Sequence, residues 1–306
     1  RYGMPGERRY GQDHDFYKWS PVVTRPVLQW PNKARVALCV ILSLEHYDWE
    51  VPEDAPRPSG PQGGIGIGKF PDVRSFSHHE YGNRVGIFRL LSILDKYEIT
   101  PTIAMDATVA QNYPYLVQEC QRHGAEFIGH GVSARRFIHS RMSEDEERQH
   151  VHESIEALAT ATGKRPVGWL GPEYAETMRT PHILASEGIQ YVCDWPNDEQ
   201  PYPMTVPEGE MFALPVNLTL DDVTTTWNRH VPVTQYGQAI SEAFDELHRS
   251  GEKSGRTLVL NLHPWIIGQP FRSKYLDQAL AHISNLDGVW KATGQEIIEW
   301  YKAQPR

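Results

Sequence analysis

The chain has 306 residues, 40% hydrophobic and 23% charged, the mixture of a folded chain rather than a disordered one. Thirty Lys and Arg against 39 Asp and Glu give a net charge of −9, which excludes a phosphate-tracking nucleic-acid protein, since such binding runs on basic surface. Three cysteines without a CxxC pair exclude a disulfide framework and a zinc ribbon, and no apolar run reaches the ~18 residues of a membrane span.

Residues 1–30, rich in Pro, aromatic and charged groups, read as an extended arm lying on the body or on a neighbouring subunit, so a homo-oligomer (dimer or tetramer) is expected. Arg1 to Arg9 lacks an apolar signal core, which points to the cytoplasm. Residues 31–306 read as a single domain. Arg35 to Ser43 is a nearly continuous apolar run, the signature of a strand buried on both faces. Pro52 to Pro71 carries five Pro and five Gly and reads as a long functional or mobile loop. Helical spacing over Tyr81–Tyr97 leads to a strand at Pro101–Met105, a helix at Pro114–His123 and a strand at Glu126–Gly129. Ser143-Glu144-Asp145-Glu146 is a capping box opening a helix that Gly163 ends. Strands at Pro166–Trp169, Tyr191–Asp194, Phe212–Val216 and Thr257–Leu262 alternate with helices at Thr180–Glu187, Thr234–Arg249 and Lys274–Ser284. A last strand and helix lie within Val289–Lys302. Seven or eight uninterrupted β–α alternations predict a parallel sheet curled into a distorted (β/α) barrel.

Two patterns mislead. Gly63 to Lys69 has phosphate-loop spacing, but Phe70 stands where Ser or Thr must hold magnesium, and no strand precedes it. His150 and His152 are two apart on a helix and read as solvated side chains. His78 and His79, beside the Gly-rich loop, are candidates to line a pocket.

In a β/α barrel the chemistry sits at the C-terminal strand ends. Those ends are Glu45-His46, Asp106, His130, Trp169 to Glu173, Asp194-Trp195, Asn217 and Asn261-Leu262-His263. Charged and imidazole groups recurring there point to a site, because burying them costs free energy unless they are paired or bound to metal.

The segments resemble the polysaccharide deacetylase (NodB-homology) superfamily. Ser43-Leu44-Glu45-His46 is similar to its Thr-Phe-Asp-Asp hallmark, and His130-Gly131-Val132-Ser133-Ala134 to its His-Ser/Thr-x-x-His motif. Arg165-Pro166 and Leu260-Asn261-Leu262-His263 match two further motifs. Two metal-ligand positions of that family are changed, to His46 and Ala134. Glu80 to Gly86, Gly168 to Pro172, Asp194 to Tyr202 and His263 to Pro270 look closest to the allantoinase-like and cyclic-imide-hydrolase-like branch.

The resemblance implies a NodB-like barrel that hydrolyses a non-peptide C–N bond (amide, imide or ureide) of a small, cyclic substrate. Glu45 takes the place of the family's catalytic Asp as base and His263 is the acid, oriented by Asp194 or Asp198; Arg165 orients a carboxylate from behind. Trp169, Trp195 and Trp265, with Glu173 and His79, would bind the substrate. His46 and His130 would either hold a divalent metal such as Zn²⁺, with Glu45, His78 or His79 as third ligand, or act without a cofactor as donors to the oxyanion. The competing expectations are a metal-dependent N-deacetylase of polysaccharide or peptidoglycan, and a non-catalytic binding barrel.

Overall fold

The computed structural model describes residues 14–50 and 73–305. The Gly63 to Phe70 pattern, like the whole Pro52–Pro71 loop, lies outside the described residues.

Strands β1 (Val36–Leu44), β2 (Thr102–Met105), β3 (Glu126–Gly129), β4 (Gly168–Trp169), β5 (Tyr191–Val192), β6 (Tyr202–Met204), β7 (Met211–Ala213), β8 (Arg256–Leu262) and β9 (Val289–Lys291) form one curled sheet. Its order is β6-β7-β5-β4-β3-β2-β1-β8, with β9 beside the start of β1. Every pairing is parallel except β6 with β7, an antiparallel hairpin inside what the sequence suggests is a Pro-rich excursion. No strand bridges β7 to β8 among the described residues. Instead the Asn217 backbone N–H donates to the Val259 carbonyl, and the Asn217 side-chain oxygen accepts the Val259 N–H. One side chain thus mimics a ladder partner.

All nine residues of β1 are buried, and they alternate between two cores. Val36, Leu38, Val40, Leu42 and Leu44 face helices α2 (Ile87–Lys96), α4 (Pro114–Arg122), α7 (Val233–Ser250) and α8 (Pro270–Ser284). Ala37, Cys39 and Ile41 face the inside of the curl, against Ala104, Ile128, Cys193 and Val259. The period-two alternation of a strand produces both from one apolar run. Leu28 and Trp30 of the arm, with Ile297 and Ile298 of α9 (Gly294–Lys302), join the inner cluster; the Trp30 indole donates to the Arg256 carbonyl at the start of β8. These residues plug the barrel at its N-terminal end and leave the other end free for a site.

The remaining helices are α1 (Val73–Tyr81), α3 (Ala107–Asn112), α5 (Glu144–Thr162) and α6 (Thr180–Ser186). The capping box at Ser143 forms as the spacing predicts, and Gly163 ends α5 in the left-handed conformation. α3 is not expected from the sequence: Asp106 caps it, its side chain accepting from the Val109 N–H at 2.8 Å. A π-helical turn at Gly82–Gly86 joins α1 to α2. A Cβ at Gly86 would lie 2.0 Å from the Pro264 carbonyl oxygen, and one at Gly82 would lie 2.7 Å from the Trp265 nitrogen. These glycines let the loop after β8 pack on the turn. Among the described residues no helix is long and apolar enough to cross a membrane.

Candidate active site

The alternation that packs the inner core also delivers the site. Continuing the inward positions beyond Ile41, Val259 and Ile128 gives Ser43 on β1 and Glu45 just after it, Asn261 on β8 and His263 just after it, and His130 after β3. Glu45 Oε1 accepts from His130 Nε2 at 2.9 Å and lies 3.8 Å from His263 Nε2. His130 Nδ1 bonds the Leu170 carbonyl, which can only accept, so this nitrogen carries hydrogen. His263 Nδ1 donates to Asp222 Oδ1 at 2.7 Å, and the His263 backbone N–H donates to Asp222 Oδ2 at 2.8 Å. The buried Asp222 therefore fixes both the ring and the backbone of His263.

Burial alone would raise Glu45, but the hydrogen bond from His130 and the charge of His263 pull it down to about 2. Burial alone would lower His263, but Asp222, Asp221 and Glu45 outweigh it and lift the imidazole to about 10. Near neutrality a carboxylate faces an imidazolium across the floor of the cleft.

The cleft holds about 230 Å³. Tyr47 and His79 stack with centroids 3.4 Å apart, His79 meets Trp265 at 4.0 Å, and Trp227 stands edge-on to Trp265 at 5.0 Å. Burial lowers His79 to about 3; its Nδ1 donates to the Ser75 carbonyl at 2.6 Å, leaving Nε2 as an acceptor. A second hollow of about 300 Å³, beside His139 and Glu146, has no strand-end residue in its lining.

Of the residues expected to act, Glu45, His130, His263, His79, Glu173 and Trp265 line the cleft. The others are corrected. His46 falls on the opposite phase from Glu45 and is not in the lining; its backbone N–H donates to Asp106, and its ring Nδ1 is buried with no hydrogen-bond partner among the described residues. Trp169 also falls on the outward phase and packs with Val151, Ile155 and Ile183. Asp194 accepts the Gly171 N–H at 2.8 Å and Asp198 pairs with Arg25, so neither orients His263. Trp195 packs on Phe16 and Tyr17 and donates to Glu176. Arg165 is exposed and pairs with Glu156 and Glu187 on the surface. His150, expected in solvent, is buried. His152 is exposed and faces Glu187.

Sequence reasoning missed Asp221 and Asp222. They precede the π-helical turn Val223–Asn228, where Asp221 Oδ1 accepts the Val223 and Thr224 N–H groups. Its Oδ2 accepts from the Tyr174 hydroxyl at 2.6 Å and from Asn261 at 3.0 Å. Two adjacent Asp ahead of Val-Thr-Thr-Thr-Trp were the available signal, obscured because no strand directly precedes them.

Asp221, Asp222 and His263 bring three ligand-type atoms within 4.8 Å of one another, a group able to hold a cation. The hydrogen bonds oppose it: all four carboxylate oxygens already accept from protein donors. At the metal-ligand positions of the motifs the chain resembles, Ala134 offers no donor, Glu45 occupies His130 Nε2, and His46 is not in the cleft lining. The residues present do not fit a three-ligand zinc site.

The polysaccharide deacetylase family model matches residues 79–192. The structure of PuuE allantoinase is similar over 98% of this chain and 100% of that one, with a TM-score of 0.85 and 26% identity. The chain has the same NodB-like curled barrel. A Schizosaccharomyces pombe protein named "Putative polysaccharide deacetylase" is 24% identical over 93% of this chain and 94% of its own length. The peptidoglycan deacetylase of Helicobacter pylori is 24% identical over 74% of this chain and 87% of its own.

Proposed function

We propose that the protein hydrolyses a C–N bond of a small cyclic amide, imide or ureide, using its own carboxylate and imidazoles. The observation that carries this is the Glu45 carboxylate held between His130 and the Asp222-backed His263, on the floor of a small aromatic cleft. Glu45 takes a proton from water as the water oxygen attacks the carbonyl carbon. As Glu45 becomes protonated its hold on the His130 Nε2–H weakens, and that N–H is shared with the oxyanion. As the C–N bond breaks, the nitrogen takes the proton of His263 Nε2. Loss of that positive charge makes Glu45 more basic, so the two transfers support each other. The Glu45 proton then returns to His263 across the 3.8 Å between them.

Trp227 and Trp265 wall a flat ring, and His79 Nε2 accepts a ring N–H. The likeness to PuuE allantoinase supports a cyclic substrate, whereas the names of the curated relatives support deacetylation of a sugar polymer. The cleft volume and the substitution at Ala134 favour the first.

The test is a panel of succinimide, hydantoin, dihydrouracil and N-acetylglucosamine oligomers, assayed for ring opening or acetate release. Ring opening lost in Glu45→Gln supports the proposal. Acetate release from the oligomers without any ring opening contradicts it.

A further inference from the structure

Glu173 lines the cleft but has no task in the chemistry above. It lies on the short turn Pro172–Tyr174 that follows β4. Glu173 (φ 58°) and Tyr174 (φ 53°) are both left-handed, a conformation that non-glycine residues rarely adopt and that persists only where the surroundings fix it. Here they do: the Tyr174 hydroxyl donates to Asp221 and accepts from Asn261. The anchored Tyr174 leaves the Glu173 side chain in the mouth of the cleft, where the residue is exposed.

The groups acting on its charge are Glu45 at the end of β1, His130 at the end of β3, Asp221 from the turn before α7 and His263 at the end of β8. No Lys or Arg lines the cleft among the described residues; the Arg135 guanidinium lies instead over the Tyr47 ring at 4.5 Å. Opening a cyclic amide changes charge. Water adds its oxygen to the carbonyl carbon, the C–N bond breaks, nitrogen gains a proton, and the new acid ionises. An uncharged ring leaves as a carboxylate.

We propose that Glu173 is a charge filter, admitting uncharged substrates, refusing anionic ones and expelling the carboxylate product. This rests on the cyclic-amide reading for the identity of the product but not for the charge discrimination. Glu173 is open to solvent on its outer side, but crowding of its carboxyl by the cleft wall and the charge of Glu45 lift it to about 7, so the filter is tested at pH 8.5, where the carboxyl is ionised.

Succinamide and succinamate differ by one charge, and their binding to the wild type, Glu173→Gln and Glu173→Ala is measured by titration calorimetry. The wild type is expected to bind succinamide at least tenfold tighter than succinamate, and both variants to reduce that ratio at least fivefold. A ratio within twofold of wild type in both variants overturns the filter. If succinimide is opened and the ratio does not move, the filter alone fails. If no ring of the panel is opened and the ratio moves, the ring reading fails and the filter stands. No measurable affinity of any of the three proteins for either compound overturns the filter.

Discussion

Replacing Asp222 by Asn tests the charge arrangement with little change of shape. The His263 Nδ1 to Asp222 Oδ1 distance is 2.7 Å. At an effective dielectric of about 20, a unit-charge pair at that distance is worth about 6 kcal/mol, about four decades in proton affinity. Removing it brings His263 down from about 10 to below its usual 6.5, because burial then dominates. At pH 8 the variant has a neutral imidazole and no proton for the leaving nitrogen. Activity on the substrate found in the panel should fall about 10³-fold, within the range for loss of a general acid. It should recover partly toward pH 5.5, where the wild type gains nothing. Imidazole NMR gives an activity-independent reading: His263 stays protonated from pH 5 to 9 in the wild type and titrates below 6.5 in Asp222→Asn. An imidazole still charged at pH 8 in the variant, or activity within tenfold of wild type, would refute the reasoning.

Other outcomes follow from the same contacts. Gly86→Ala puts a Cβ 2.0 Å from the Pro264 carbonyl oxygen and should cost about 2–3 kcal/mol, seen as a melting point lower by several degrees and a raised KM through Trp265. Arg165→Ala removes exposed ion pairs worth at most about 1 kcal/mol and should leave kcat/KM unchanged; a tenfold loss would return Arg165 to the site. His263 has a folded pKa above its unfolded value, so its stabilisation is complete below 6.5 and disappears as pH rises through about 10. Glu45 is the reverse: its contribution is complete above 4.5 and is lost as pH falls toward about 2. Melting curves of the wild type and His263→Gln should therefore converge between pH 6.5 and 10.

Much of this was legible in the sequence. The continuous apolar run of β1 predicts a strand buried on both faces, and the strand-end rule finds Glu45, His130 and His263 without any motif. The errors share a cause. Strand-end neighbours point to opposite sides, so Glu45 enters the cleft while His46 does not, and Leu170 faces the inner core while Trp169 packs under α5. Strands of two residues, such as β4 and β5, leave that phase unreadable from an apolar pattern. Asp222 was missed because it reaches His263 from 41 residues away in sequence, across a gap with no strand. Arg165 was carried by resemblance, and neither burial nor charge pairing supports that placement.

The most direct test of a site built from protein groups alone is hydrolysis of a cyclic amide after exhaustive dialysis against a chelator, with metal content measured on the same sample. The account predicts turnover at wild-type rate below 0.1 equivalents of metal, and about a 10³-fold loss in Glu45→Gln. Activity that vanishes on chelation and returns with one equivalent of zinc would contradict it.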